Sequence, residues 1–353
     1  MTHFLRDILR QPVELQRTVD HLTHTGRQIL ETAAEALHSA RHVYLTGIGS
    51  SWHAGLNVSA LFQLGARPVY LVDAAELVQF AAIPAGAAMI VISRSGRSVE
   101  IVQLLAKARE SGATVIGITN AADGTLAREA QIAMVVPVAL DHAISVNTYT
   151  TLTLAAGVLA ASVSGSFNAR LAESLSRAFA RAGRAIPGWQ AQIEASAWLA
   201  PRSTTYFLAR GSSLGSAYEA RLMWEEGVKS PATAMGTGSF RHGPQEIVAQ
   251  DVRFGMWIDG AKMREQDLAV ALDLRKLGAR VMLIGQRLPD DAGNLVFQLP
   301  EIASEWQFLI DIIPAQLVAE RLARLSGSDP DTFRLCSFVV EDEAGLLPKE
   351  KGV

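Results

Sequence analysis

The sequence predicts an α/β protein of two tandem units, each an open parallel sheet flanked by helices, and three observations lead there. Short apolar β-type runs alternate with amphipathic helical runs, the apolar runs end in Gly/Ser loops that open helices, and the whole pattern occurs twice. The first cycle starts at His42: the run Val43-Tyr44-Leu45-Thr46 leads into Gly47-Ile48-Gly49-Ser50-Ser51 and a helical stretch over 54–64. It repeats with an apolar run over 68–72. Next comes a run over 88–92 that ends in Ser93-Arg94-Ser95-Gly96, a helix over 99–110 and a further run over 114–119. A candidate strand over 132–138 and an Ala-rich helix over 149–161 close the unit. Continuously apolar strands separated by helices belong to a parallel sheet covered on both faces.

The second half restarts this grammar. Tyr206-Phe207-Leu208-Ala209-Arg210-Gly211-Ser212-Ser213 aligns with residues 44–51, and the run over 276–285 echoes 110–119. Where the first copy has Ser93-Arg94-Ser95-Gly96, the second has Trp257-Ile258-Asp259-Gly260, so only one copy keeps the serine loop. Ahead of both units, residues 4–40 carry apolar positions at helical spacing, interrupted at Pro12. A last helix over 305–325 is expected to bend at Pro314. The expected division is a helical arm over 1–40, a first unit over 41–165, a helical linker over 166–200, a second unit over 201–335 and an irregular tail over 336–353.

With 353 residues, 49% of them hydrophobic, and a net charge of −3, the chain is too apolar and too weakly charged for a disordered protein. The lone Cys336 forms no internal disulfide, which points to the cytoplasm, and the start of the chain carries no signal-peptide core. No segment is long and apolar enough to span a bilayer, and the charge balance leaves no footprint for nucleic acid. The His, Cys and carboxylate residues show no metal-ligand spacing, so neither a metal nor a cofactor is expected.

In open parallel sheets ligands bind beyond the carboxyl ends of the strands, which singles out the loops after Thr46 and Ile92. Ser93-Arg94-Ser95-Gly96-Arg97-Ser98 offers three hydroxyls, two guanidinium groups and the free N–H groups of a helix start, a combination that favours an anion. The competing reading is a helix cap made by Ser95 or Ser98. Gly49-Ser50-Ser51, expected at the same sheet edge, tips the balance to phosphate. Neither a P-loop nor a dinucleotide fingerprint is present.

These residues carry a family resemblance. The first unit resembles a sugar isomerase (SIS) domain. The whole chain resembles the duplicated isomerase part of glucosamine-6-phosphate synthase without its glutaminase half, and the related amino-sugar-phosphate deaminases and fructosamine-6-phosphate deglycases. The resemblance rests on Asp7-Ile8-Leu9-Arg10-Gln11-Pro12, Gly49-Ser50-Ser51, Ser93-Arg94-Ser95-Gly96, Phe240-Arg241-His242-Gly243-Pro244 and Gly327-Ser328-Asp329, in that order. It implies that Ser50, Ser51, Ser93, Arg94, Ser95 and Ser98 bind phosphate and sugar hydroxyls. Asn147 falls in a segment that contacts the sugar in relatives, although the typical Ser-Thr-Lys is Asn147-Thr148-Tyr149 here.

Moving a proton between neighbouring sugar carbons needs a carboxylate beside them and an acid at the ring or carbonyl oxygen. From the residues alone Glu225 reads as an ion-paired helix carboxylate, Glu219 as either a salt-bridge or a supporting residue, and His242 as a loop histidine. The resemblance assigns the base to Glu226 and the ring-opening acid to His242, which in relatives reaches the partner subunit's site and so implies a homodimer. His53 reads as structural.

The departures bear on the reaction. Met223 stands where the synthase has an assisting lysine and Phe338 where it has the Schiff-base lysine; Lys349 and Lys351 are left as tail replacements or as plain solvated lysines. Without such an amine a plain ketose is poorly activated, whereas a ketosamine 6-phosphate brings its own nitrogen. The missing glutaminase half removes an ammonia source and points the same way. The expected function is C–N cleavage of an amino-sugar or ketosamine 6-phosphate, as deaminase or deglycase. Aldose–ketose isomerisation and a non-catalytic sugar-phosphate sensor are the alternatives.

Overall fold

Among the described residues every strand pair is parallel, and the strands form two five-stranded sheets. The structure is a computed structural model describing residues 1–199, 203–343 and 345–346. Two helices, α1 (His3–Thr23) and α2 (Arg27–Ser39), come first. The first sheet contains β1 (His42–Thr46), β2 (Tyr70–Leu71), β3 (Ala87–Ser93), β4 (Thr114–Thr119) and β5 (Ile132–Val135), in spatial order β2-β1-β3-β4-β5. Its helices are α3 (Ser50–Leu64), α4 (Ala74–Phe80), α5 (Val99–Ser111), α6 (Thr125–Glu129) and α7 (Asn147–Val163), after which α8 (Ala169–Ala195) leads to the second sheet. That sheet is built from β6 (Thr205–Ala209), β7 (Ala232–Gly236), β8 (Arg253–Trp257), β9 (Arg280–Gly285) and β10 (Leu295–Gln298), with α9 (Leu214–Met223), α10 (Thr237–Phe240), α11 (Arg264–Lys276) and α12 (Ile312–Leu325) around it. Its order, β7-β6-β8-β9-β10, is the first sheet's order repeated, so the duplication read from the sequence is a duplication of topology.

Alternation along the strands explains the layers. In β3, Ala88, Ile90 and Ile92 face the core shared with α1, α3, α7, α8, α9 and α12. Ala87, Met89 and Val91 face a separate core against α4 and α5. In β8 the split is Trp257 inward and Phe254 and Met256 outward, toward α11. The outer helices therefore cover one face of each sheet while the inner helices are shared, and every residue of β3 and β8 is buried.

Two proline expectations are revised. Pro12 lies inside α1, which continues to Thr23, and the break falls at Gly26 instead. The carbonyl of Ile8, four residues before the proline and so denied its helical N–H, accepts the Gln11 side-chain amide at 3.3 Å. At the other end the expected bent helix is a 3₁₀ turn, Ser304–Leu309, followed by α12, which places Pro314 in a first turn where its missing N–H costs nothing.

The two units meet where α9 lies on α3. A Cβ on Gly215 would stand 2.2 Å from the His53 carbonyl oxygen and 2.3 Å from Asn57 Oδ1, so only glycine permits this approach. Replacing Gly215 by alanine is predicted to lower the stability of the chain by about 1–3 kcal/mol, the usual cost of overpacking, read as a fall in the denaturant midpoint.

Candidate functional site

In a sheet of order β2-β1-β3-β4-β5 the chain leaves β1 and β3 in opposite directions, and a crevice opens between their carboxyl ends. The two Gly/Ser loops lie there. After β3, Gly96 takes φ 62°, which turns the chain into α5. The loop braces itself: Gly96 N–H donates to Ser93 Oγ at 3.1 Å and Arg97 N–H to Ser95 Oγ at 3.2 Å. Ser98, at the cap position of α5, makes no capping bond through its side chain, so its hydroxyl remains available. Ser95 thus acts partly as the cap the sequence allowed, and Ser98 does not. Arg97 pairs with Asp123 at the surface.

Arg94 turns inward. Its guanidinium donates to Ser145 Oγ at 3.0 Å and to the Phe338 carbonyl at 2.7 Å, and it stacks 4.0 Å from the centre of the Phe338 ring. The tail is held a second time where Val99 N–H donates to the Val340 carbonyl at 3.0 Å. Ser50, Ser51, Ser93, Arg94, Ser95 and Ser98 all line one cavity of about 240 Å³, and Glu226 faces them across it.

Glu226 is presented by a π turn, Trp224–Val228, which widens the end of α9. Lys229 ends that turn in the left-handed region with φ 59°, and its ammonium donates to the carbonyls of Glu226 and Thr332. Burial pushes the Glu226 carboxyl up to about 8, the negative charge of Glu219 adds to the rise, and Arg94 and Lys229 oppose it. Glu219 itself is buried between the units. Ser50 Oγ donates to its Oε1 at 2.9 Å, and His53 Nδ1 lies 2.7 Å from its Oε2. The Gly49-Ser50-Ser51 segment of one unit is thus tied to the helix that carries Glu226 in the other. Burial also pulls Arg94 below its usual range, with Asp141 and Glu226 drawing it back.

Other residues singled out lie elsewhere. Asn147 is fully buried at the start of α7, its amide donating to Asp141 Oδ1 at 2.7 Å and to the Asp7 carbonyl at 3.0 Å, and it does not line the cavity. Asp141 organises that helix start by also accepting from the N–H groups of Val146, Asn147 and Thr148. From this segment Ser145 reaches the cavity instead, an assignment that spacing alone did not yield. His242 is exposed in the turn after α10, its N–H donating to the Ser239 carbonyl, and within one chain it lines neither this cavity nor the next. His53 serves Glu219. Lys349 and Lys351 lie outside the described residues. Among the described residues no group of His, Cys, Asp and Glu is arranged to hold a metal ion, and no helix is long and apolar enough to cross a membrane.

The corresponding loop of the second unit is built differently. Asp259 stands at the position of Ser95, and its carboxylate accepts from the N–H groups of Lys262 and Met263, both at 2.8 Å, and of Ala261 at 3.2 Å. These amides correspond to those of Arg97, Ser98 and Val99. A built-in carboxylate occupies the place of an anion, and Ser213 is likewise committed, to Asp311 at 2.7 Å. Calorimetric titration with a phosphosugar is predicted to give one site per chain, and Asp259→Ser, which frees three N–H groups beside Lys262, to add a second, weaker phosphate site.

Comparison with known proteins agrees with the fold. Residues 36–162 match the SIS domain family model. The chain is 28% identical over 341 residues to the glutamine–fructose-6-phosphate aminotransferase (isomerizing) of Pyrobaculum aerophilum, covering 94% of this chain but 56% of that protein. It therefore spans little more than half the length of such relatives. Glucosamine-6-phosphate deaminase from Thermotoga maritima superposes with a TM-score of 0.80 at 21% identity, over 96% of this chain and 99% of that one. Tagatose-6-phosphate ketose/aldose isomerase from Escherichia coli gives 0.81 at 22%, over 94% and 95%. The first unit, over residues 36–162, thus matches a SIS domain, and the second sheet repeats its strand order.

Proposed function

We propose that the chain is an enzyme cleaving the C–N bond of an amino-sugar or ketosamine 6-phosphate, with Glu226 moving a proton between C1 and C2 of the open-chain sugar. The observation that carries this reading is a carboxyl pushed up to about 8 facing an anion-binding loop across one cavity. The phosphate is taken by the hydroxyls and N–H groups of the loop over 93–98, with Arg94 as counter-charge, and Ser50 and Ser51 meet sugar hydroxyls. A carboxyl that titrates near neutral pH both accepts and returns a proton. With a ketosamine, Glu226 takes a proton from C1 as the C2 carbonyl becomes an enol, then returns it to C2. Water hydrolyses the resulting C1 imine to an aldose 6-phosphate and the free amine.

The nitrogen is best supplied by the substrate. The cavity presents Phe338 stacked on Arg94, Met223 is buried, and the Lys229 amine is engaged by two carbonyls. A lysine at 338 would set a second positive charge against Arg94. His242 of a second copy is the acid at the carbonyl oxygen in this proposal, since His242 is exposed and does not line the Glu226 cavity within one chain, and the active form is then a homodimer. Aldose–ketose isomerisation through the same Glu226 is the second reading, favoured by the likeness to the tagatose-6-phosphate isomerase.

Glu226→Gln is predicted to lower turnover about a hundred- to ten-thousandfold while phosphosugar binding persists; a sensor would bind equally and turn over nothing in either form. In the parent, kcat/KM should rise with pH through about 8 as Glu226 loses its proton. Glu219→Gln removes the neighbouring negative charge, lowers that pKa and should move the rise to lower pH.

A further inference from the structure

The cavity does not end at Glu226. A second one, of about 480 Å³, shares Leu222, Glu226, Phe333 and Cys336 with it and continues past the carboxyl on the side away from the serine loop. Its own walls add Glu225, Lys229 and Arg334. Glu225 lies 3.5 Å from Arg221, and the Lys229 ammonium is engaged by backbone carbonyls with Asp329 close by. Arg334 differs: among the described residues its guanidinium has no hydrogen bond or ion pair, and its charge bears on Lys229. Among the described residues, the exposed Arg334 therefore gives the rim of the second cavity one positive charge without an ion-pair partner.

Substrate geometry says what enters it. In an open-chain hexose 6-phosphate the phosphate and C1 are at opposite ends. With the phosphate on the loop over 93–98 and the C1–C2 bond at Glu226, a substituent on the C1 nitrogen leaves the sugar away from the loop, where the second cavity begins.

We infer that the second cavity receives the nitrogen substituent of a ketosamine 6-phosphate and that Arg334 recognises a carboxylate on it, so that the released amine is an amino acid. This rests on the C–N cleavage reading above. A guanidinium presents paired donors that match a carboxylate, and a neutral amine or ammonia leaves them unused.

The test measures binding apart from turnover. Fructosylglycine 6-phosphate and fructosylmethylamine 6-phosphate, which lacks only the carboxylate, are titrated by calorimetry into the Glu226→Gln chain. The glycine compound is expected to bind about tenfold tighter, as one charge-assisted contact allows. Arg334→Gln in the same background should remove most of that difference and Arg334→Lys restore part of it. Equal affinities, or a difference that survives Arg334→Gln, would overturn the inference. Turnover by the parent judges the other reading separately: if both compounds remain intact, C–N cleavage is rejected while the affinity ratio still decides whether Arg334 reads a carboxylate.

Discussion

The close approach of α9 to α3 at Gly215 is the constraint on which the site depends. With no side chain there, the second unit's helix sits against the carbonyl of His53. One turn further on, Glu219 then reaches Ser50 and His53, and after two more turns Glu226 comes opposite the serine loop. Burying the Glu219 carboxylate is tolerated because two partners satisfy it. Its charge in turn helps hold the Glu226 carboxyl near neutrality. Packing, the link between units and acid–base behaviour are thus consequences of one helix contact.

The duplication produced two sheets of one topology whose corresponding loops differ, and the difference comes down to what meets three amides. In the second unit the Asp259 carboxylate meets them. In the first, Ser95 and the tail carbonyl of Val340 meet two, and the hydroxyl of Ser98 is left to the cavity. A fixed carboxylate repels phosphate, whereas neutral hydroxyls do not. The second unit contributes instead through its helix, as the source of the carboxyls that face the first unit's loop. Arg94 and Phe338 form a matched pair in this arrangement, the aromatic face taking the guanidinium where an amine would repel it.

Most of the architecture was legible in the sequence because strand periodicity and Gly/Ser loop chemistry are local signals. The doubled pattern announced the doubled sheet, and the serine loop announced the cavity. What escaped depended on tertiary partners. Pro12 reads as a breaker in isolation, yet the Gln11 side chain serves the carbonyl it strands. Asn147 has the composition of a sugar contact but lies behind Asp141, which draws it into a helix cap while Ser145 comes forward. No spacing rule places the tail carbonyls against Arg94 and Val99, because that contact joins residues more than 240 positions apart. The second cavity and the charge of Arg334 at its rim are equally invisible in one dimension.

The central claim is that Glu226 transfers a proton between C1 and C2 of a loop-anchored ketosamine 6-phosphate. The most direct measurement follows the parent chain by NMR in deuterated water with fructosylglycine 6-phosphate and, separately, fructose 6-phosphate. The account predicts glucose 6-phosphate and free glycine from the first substrate, with deuterium entering at C2 to the extent that the Glu226 proton exchanges with solvent between its removal from C1 and its delivery to C2. Isomerisation of fructose 6-phosphate with the ketosamine left intact would contradict it.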